Sequence, residues 1–538
     1  MRVVSRDTTK QFHCNDSRRD IAEIIGSHGL ALNTRCAKRG LCRGCAVILE
    51  EGSLQSGQEP IRVLKGEPAR EVLSCQCQPD GEDEIVIRIP DKSLLLHPPS
   101  IVSDFRTGVP AGSDPIFQSW RDFPLGLAVD IGTTTVAVLL ASLADGRILA
   151  RASALNSQIA SGDNVLTRIQ LCQDDKTQIR RLHDAFWNET FQPLLAEVLR
   201  SSGSRKEDLA GVVLAGNTTM LHLAAGEDPT PLGTVPFRPA FLESRRLDST
   251  CAGLGAQHEV ILLPGISAYV GADIAAGAVC SGTIYGGSPQ LLVDVGTNGE
   301  MILSSPQGKL ACATAAGPAF EGCGLTCGMR AAAGVVGSIA FETDPFIARV
   351  ETIGGKSLVP GIAGSAYVDF LAGGRRIGLL RNNGRFDKEF VAKNPAHFHH
   401  DGGDLSFLPV PGHAELRITE VDTALLLQAK AAIAAGVCTL LERQGLTAAE
   451  IGRVDLAGGF GLNLSIPNAI ACGLLPEFLP AQVEAVGNSS LGGAYLAMID
   501  RNLAREMEDL RGQVETIELN LDPGFEDRYI DALSLPEP

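Results

Sequence analysis

One short pattern occurs twice in this chain and limits its fold more than any other feature. In "LGLAVDIGTTTVAVLLA" (125–141) an apolar strand reaches Asp130, turns through Gly132, Thr133 and Thr134, and leaves as a second apolar strand. "LLVDVGTNGEMIL" (291–303) repeats the device with Asp294, Gly296, Thr297 and Asn298. Two apolar strands around a Gly-containing turn read as a β-hairpin. The turn presents successive backbone N–H groups, which suit a phosphate. The Asp at the strand end suits a Mg²⁺ held through water. A single such turn is an ordinary sharp hairpin. Two, each with an Asp at the same place, form a much more specific signal than either alone.

Two further Gly-centred turns belong with them. "VVLAGNTTMLHLAAG" (212–226) reads as strand, polar turn with Asn217 at its apex, then helix. "VDLAGGFGLNLSIP" (454–467) ends a strand in Gly458, Gly459 and Gly461, where a flat base or ribose can approach the backbone.

The other informative segment is "CAKRGLCRGC", which puts Cys36, Cys42 and Cys45 on one loop with C-x5-C-x2-C spacing. "LSCQCQ" follows with Cys75 and Cys77. Plant-type [2Fe–2S] clusters are wrapped by C-x4-C-x2-C and one distant Cys. Here the first gap is one residue longer, and a loop absorbs that. Cys75 is preferred as fourth ligand because its gap matches the plant-type spacing better; Cys77 stays open. A structural zinc site is the alternative, but zinc favours paired C-x2–4-C knuckles. The flanks fit a small β-grasp module: "RDIAEIIGSHGLAL" (19–32) has helical apolar spacing, and "CAVILEEG" (45–52) and "DEIVIRIP" (83–90) read as strands.

The chain has 538 residues, enough for several domains, and a formal net charge of −17, which gives no support for a nucleic-acid surface. Its start carries no apolar signal core, and its two most apolar stretches are interrupted by Asp130 in one and Gln428 and Lys430 in the other, so neither reads as a membrane span. The expected setting is the cytoplasm, where 14 cysteines suggest cluster ligands and buried thiols, not disulfides. Cys312, Cys323, Cys327, Cys280, Cys438 and Cys472 read as core residues. "HFHH" (397–400) reads as a solvated polar loop. Expected domains are a ferredoxin-like module at 1–92, a Pro-, Ser- and Gly-rich linker at 93–123, and an ATPase at 124–538.

The hairpins and the late Gly-Gly-Phe-Gly resemble the superfamily of acetate and sugar kinases, Hsp70 and actin. That resemblance implies an α/β ATPase of two ribonuclease-H-like lobes, behind an α+β β-grasp ferredoxin. The combination resembles the reductive activators of corrinoid-dependent methyltransferases. It is carried by the cysteine loop, both hairpins, "AGNTTMLHL", "PGISAYVGADIAAG", "AGPAFEGCGLTCGMRAAAG", "ITEVDTALLLQAKAAIAAGV", "LAGGFGLNL" and "FEDRYIDALSLP". It implies ATP-driven return of a Co(II) corrinoid to Co(I) through a [2Fe–2S] cluster. The cluster ligands would be Cys36, Cys42, Cys45 and Cys75. Asp130 and Asp294 would hold Mg²⁺. The hairpin residues and Asn217 would cradle phosphates, the three glycines would line the adenosine, and Glu321 or Asp273 would position the attacking water. Either acid read blandly is a helix cap or a structural carboxylate. Implied partners are a corrinoid protein, a low-potential electron donor and, at most, a second copy of the chain, with neither nucleic acid nor membrane. Two other readings fit the same residues: a small-molecule kinase with a redox-sensing ferredoxin, and an ATP-switched scaffold with a structural cluster.

Overall fold

The computed structural model describes residues 1–5, 9–11, 19–28, 30, 32, 45–57, 59–80, 84–90, 93, 103–162, 164–401, 404–459, 461 and 464–538. Cys36 and Cys42 lie outside the described residues.

The amino-terminal module is a β-grasp. Strand Arg2–Val4 pairs in parallel with Val86–Arg88, and antiparallel with Thr9–Gln11. Strand Ala46–Ser56 is its long spine, pairing antiparallel with four neighbours. The helix Ile21–Ser27 starts at Asp20, whose carboxylate accepts the Glu23 N–H at 2.8 Å, and it buries Ile21 and Ile25 against Val47, Leu49 and Ile87.

The remainder contains two six-stranded sheets built alike. In the first lobe Leu125–Ile131, Thr135–Ser142 and Ile148–Leu155 form an antiparallel meander. Leu209–Gly216 and Glu259–Leu262 then add in parallel beyond Leu125–Ile131. In the second lobe Gln290–Val295, Gly299–Ser305 and Gly308–Thr314 form the meander. Arg453–Ala457 and Val483–Gly487 add in parallel beyond Gln290–Val295. Each D-x-G-T turn is thus the first bend of a meander, closed by Gly132 N–H to Thr135 O at 2.9 Å and by Gly296 N–H to Asn298 O at 3.0 Å. This is the two-lobed ribonuclease-H-like architecture.

Two helices tie the lobes together. Ala272–Ser281, at the end of the first lobe's chain, packs against Ser489–Ile499, which follows the second lobe's strand Val483–Gly487. Leu491, Ala494, Leu496 and Met498 of the later helix, with Leu503 and Met507 of the next, belong to the first lobe's core beside Val129, Val138 and Val213.

The described part of the Pro-, Ser- and Gly-rich stretch lies in the seam between the lobes. Asp104 O accepts Asn488 N–H at 2.9 Å, Arg106 N–H reaches Val486 O at 3.0 Å, and Gly108 N–H reaches Cys280 O at 2.7 Å. Farther on, Gly112 N–H meets the Asp500 carboxylate at 2.6 Å, Ile116 N–H meets Met498 O at 3.1 Å, and Phe117 is fully buried in the first lobe's core. Residues 103–124 therefore form a strap bonded to parts of both lobes.

The helix Glu420–Arg443 is apolar and long enough to cross a membrane by composition, yet 78% of its apolar window is buried inside the protein. Its Lys430 is buried and donates to Ser534 O at 2.8 Å and to Ala532 O, tying residues 532–534 to the second lobe. Cys280, Cys312, Cys323, Cys327 and Cys472 are buried, while Cys438 is half-buried. The solvated reading of 397–400 is overturned for His397, while His400 is exposed. Phe398–Asp401 is a strand, and the His397 ring is buried, stacked on Phe407 and edge-on to Phe346, with its Nδ1 3.0 Å from Leu408 O. The polar residues around it conceal an aromatic cluster contributed by distant segments.

Candidate functional site

The two hairpin turns face each other across a cleft of about 220 Å³ between the lobes. Asp130, Gly132, Thr133, Thr134, Asn217, Asp273, Asp294, Gly296, Thr297, Asn298, Glu321, Gly458 and Gly459 all line it. Gly461 does not. The turns meet at their tips, where Thr134 Oγ1 lies 3.4 Å from Thr297 Oγ1. Thr297 in turn donates to Glu321 Oε1 at 2.6 Å, so Glu321 holds the second turn in place.

The first turn is braced from behind. The Asn156 amide donates to Gly132 O at 2.9 Å, and the buried Arg168 guanidinium donates to Thr133 O and, at 2.9 Å, to Gly162 O. Asn217 caps the helix Thr218–Ala225 by accepting the Met220 N–H at 3.0 Å, and its amide donates to Thr133 Oγ1 at 3.0 Å. Its side chain is thereby spent on positioning the turn.

Besides Glu321, four carboxyl groups line the cleft: Asp130, Asp273, Asp294 and Glu300. Burial pushes Asp294 up to about 8, with the charges of Asp273 and Asp130 adding to it. Burial also raises Asp273 to about 7, reinforced by Asp130. Glu300 is driven well above the carboxylate range by burial and by Asp273, to which it is hydrogen-bonded. Asp130 is raised by burial, and this is partly offset because it accepts Ser490 Oγ at 2.7 Å and the Asn488 amide at 2.9 Å. So many acids in one desolvated site cannot all ionise unless a cation joins them. Among the described residues no three carboxylate, thiol or imidazole groups converge as direct metal ligands. The arrangement fits Mg²⁺, which keeps much of its water shell and meets protein carboxylates through it.

Gly458 has a φ of +94°, and a Cβ there would lie 2.7 Å from Asp294 Oδ1 and 2.6 Å from Val295 O. Only glycine fits at that point, where the late Gly-rich turn closes on the second hairpin.

Glu300, Arg330, Asn488 and Ser490 also line the cleft and escape the sequence reading. A signal for two of them exists. "GNSS" (487–490) repeats "GNTT" (216–219), and both follow a parallel strand and open a helix. Asn217 serves the first turn's Thr133, and Asn488 serves its Asp130.

In the amino-terminal module the structure brings Cys45 and Cys75 together. The neighbouring Cys75 thiol, aided by backbone N–H groups and Ser74, outweighs burial and lowers Cys45 to about 6. Cys75 sits on a short 3-10 turn, Ser74–Gln76, where Ser74 Oγ donates to Cys45 O at 2.7 Å and Gln76 Nε2 lies 3.7 Å from Cys75 Sγ. Cys77 begins the next strand, opposite Ser56; burial pushes its thiol up, against a hydrogen bond from Ser56.

Comparison with known proteins agrees with each part. Residues 3–80 match the 2Fe-2S iron-sulfur cluster binding domain, residues 125–284 the RACo middle region, and residues 288–538 the C-terminal domain of RACo, the ASKHA domain. The corrinoid activation enzyme RamQ of Eubacterium limosum is 27% identical over 572 aligned positions, covering 95% of each chain. The [Co(II) methylated amine-specific corrinoid protein] reductase of Methanosarcina barkeri is 26% identical over 45% of each chain. A solved structure, the reductive activator for corrinoid,iron-sulfur protein, superposes with a TM-score of 0.70 at 27% identity, covering 100% of this chain and 98% of that one. The match at residues 3–80 supports a [2Fe–2S] cluster and the ASKHA match supports ATP as ligand; with all three parts matched in order along the sequence, the chain belongs to the RACo family.

Proposed function

We propose that this protein reactivates a corrinoid protein by passing one electron from its [2Fe–2S] cluster to Co(II), giving Co(I), in a cycle driven by ATP hydrolysis. The observation that carries the ATP half is the meeting of two Asp-bearing hairpin turns, one from each lobe, at Thr134 and Thr297 beside a cluster of acids. The pairing of Cys45 with Cys75 supports the cluster half. Similarity to proteins named for corrinoid activation supports the partner.

In this reading Cys36, Cys42, Cys45 and Cys75 would hold the cluster, which would supply one-electron transfer from a low-potential donor to Co(II). Asp130 and Asp294 hold Mg²⁺ through water; when bound, that ion offsets the charge of the phosphates. The N–H groups of Gly132 to Thr134 and Gly296 to Asn298 cradle the phosphates, and Gly458 and Gly459 lie against the nucleoside. Asp273, buried and raised to about 7, orients the attacking water and accepts its proton; Glu321 holds Thr297 in place. Phosphoryl transfer asks mainly for such positioning and charge offset. ATP shifts a conformational balance only by its differential affinity for the open and closed lobes. The setting we propose is the cytoplasm.

The test is an anaerobic mixture of reduced donor, this protein and a Co(II) corrinoid protein, followed by the Co(I) absorption spectrum. Co(I) should form with ATP and fall to background without nucleotide or with Asp130→Ala, which should keep the cluster spectrum. Equal Co(I) yield in all three mixtures would remove the coupling.

A further inference from the structure

The cleft holds one positive side chain among its described lining residues, and that side chain has no partner. Arg330 makes no hydrogen bond and no ion pair with the described residues, and its Nε is fully buried with nothing to donate to. Buried N–H groups almost always find an acceptor, so an orphan in a ligand cleft marks the place of an absent acceptor. Five acids line the same cleft, Glu321 among them, yet none of them takes it.

The chain has built this position firmly. Arg330 follows Met329, whose N–H donates to Ile362 O at 2.9 Å, while Ile362 N–H returns to Cys327 O at 2.8 Å. Ala363 N–H then bonds Val336 O at 2.9 Å, so residues flanking Arg330 on both sides are clamped to the segment 362–363. That segment opens the 13-residue helix Gly364–Arg376, whose first turn has no side-chain cap. Ala363, Gly364 and Ser365 line the cleft. The unpaired guanidinium and the uncapped, electropositive helix start therefore lie on one wall. The same wall carries Glu321, which holds Thr297 at the meeting point of the two turns, where the phosphates go.

We infer that Arg330, backed by the amino end of the helix Gly364–Arg376, is the subsite for the terminal phosphate of the nucleotide. This rests on the ATP reading above and adds to it a residue that tells triphosphate from diphosphate. The guanidinium fork takes two phosphate oxygens at once, and its charge is offset only when the terminal phosphate is present. The cleft thus gains an ion pair with ATP that ADP does not form, and the second lobe gains this contact with the ligand only in the ATP state.

Calorimetric titration of the full-length, cluster-loaded protein with Mg-ATP and with Mg-ADP tests this. Arg330→Met keeps the stem and removes the charge. It should weaken ATP by tenfold or more, about 1.4 kcal/mol, and ADP by less than twofold. Arg330→Lys should give a smaller loss, again confined to ATP, and it serves as the probe if Arg330→Met loses its thermal transition. Equal weakening of both nucleotides, or of neither, overturns the assignment while leaving the ATP reading intact. A wild-type protein that binds neither nucleotide overturns the ATP reading and this assignment with it.

Discussion

Replacing Gly108 by Ala probes whether the strap of residues 103–124 holds the lobes or merely passes between them. Gly108 lies against the end of the helix Ala272–Ser281, with its N–H 2.7 Å from Cys280 O. A Cβ there would come within 2.6 Å of the Ser281 carbonyl carbon and closer still to its oxygen. Both obstacles are backbone, so no side-chain rotation relieves them. If the strap stays, overpacking costs about 1–3 kcal/mol. If it lifts instead, the Gly108–Cys280 bond goes at about 1 kcal/mol, along with the neighbouring bonds of Arg106 and Gly112. The two routes together span a loss of about 1–4 kcal/mol, which for the ATPase part of the chain, at about 2.1 cal/mol/K per residue, lowers the melting temperature by roughly 1–5 °C. The assay is differential scanning fluorimetry, with limited proteolysis reporting new cleavage within 103–124. Gly287→Ala is the control, because a Cβ there meets nothing within 4 Å. A Gly108→Ala protein that melts with the control and is cut no faster would refute the strap's role.

The paired sulfurs predict that Cys75→Ser loses most of the visible cluster absorbance and iron on anaerobic purification, while Cys77→Ser, changed at a buried strand position, keeps both; the opposite ranking would move the fourth ligand to Cys77. The raised acids predict that Mg²⁺ affinity climbs from pH 6 to about 8 and then levels, since Asp294 at about 8 and Asp273 at about 7 must release protons as the cation binds; titration in buffers of differing ionisation enthalpy counts those protons. The same shifts fix the sign for stability without cation. At these acids the folded state holds protons that the unfolded chain has released, so their contribution to stability is fullest below the ordinary carboxylate range and is lost as pH rises towards 8.

What the sequence revealed was local chemistry. A D-x-G-T turn carries its geometry in five consecutive residues, so Asp130 and Asp294 were readable, as was Asn217 at the head of its helix. Gly461 shares a motif with Gly458 and Gly459 but does not reach the cleft, because only the first two glycines follow the strand end directly. Asn488 and Ser490 went unread although "GNSS" repeats "GNTT", because their target, Asp130, belongs to the other lobe. Arg330 was unreadable for a similar reason: its place depends on the bond between Met329 and Ile362, across a hairpin insertion. Residues 103–123 have the composition of a free linker, yet their glycines let backbone lie flush in a seam. His397 looked solvated because the aromatic rings that enclose it come from elsewhere in the chain.

The crossing of Ser489–Ile499 into the first lobe has a consequence for synthesis. The family boundary falls between residues 284 and 288, yet the first lobe's core is unfinished there. Val129, Val138 and Val213 await Leu491, Leu496, Met498 and Met507, which leave the ribosome long after them. Until then the nascent sheet exposes an apolar face, and its completion depends on contacts of very long sequence separation, which form slowly. Segments cut at the family boundary should therefore emerge as an incomplete lobe that needs its missing helices supplied in trans. In the cell the interval before residue 489 is when this protein most needs a chaperone.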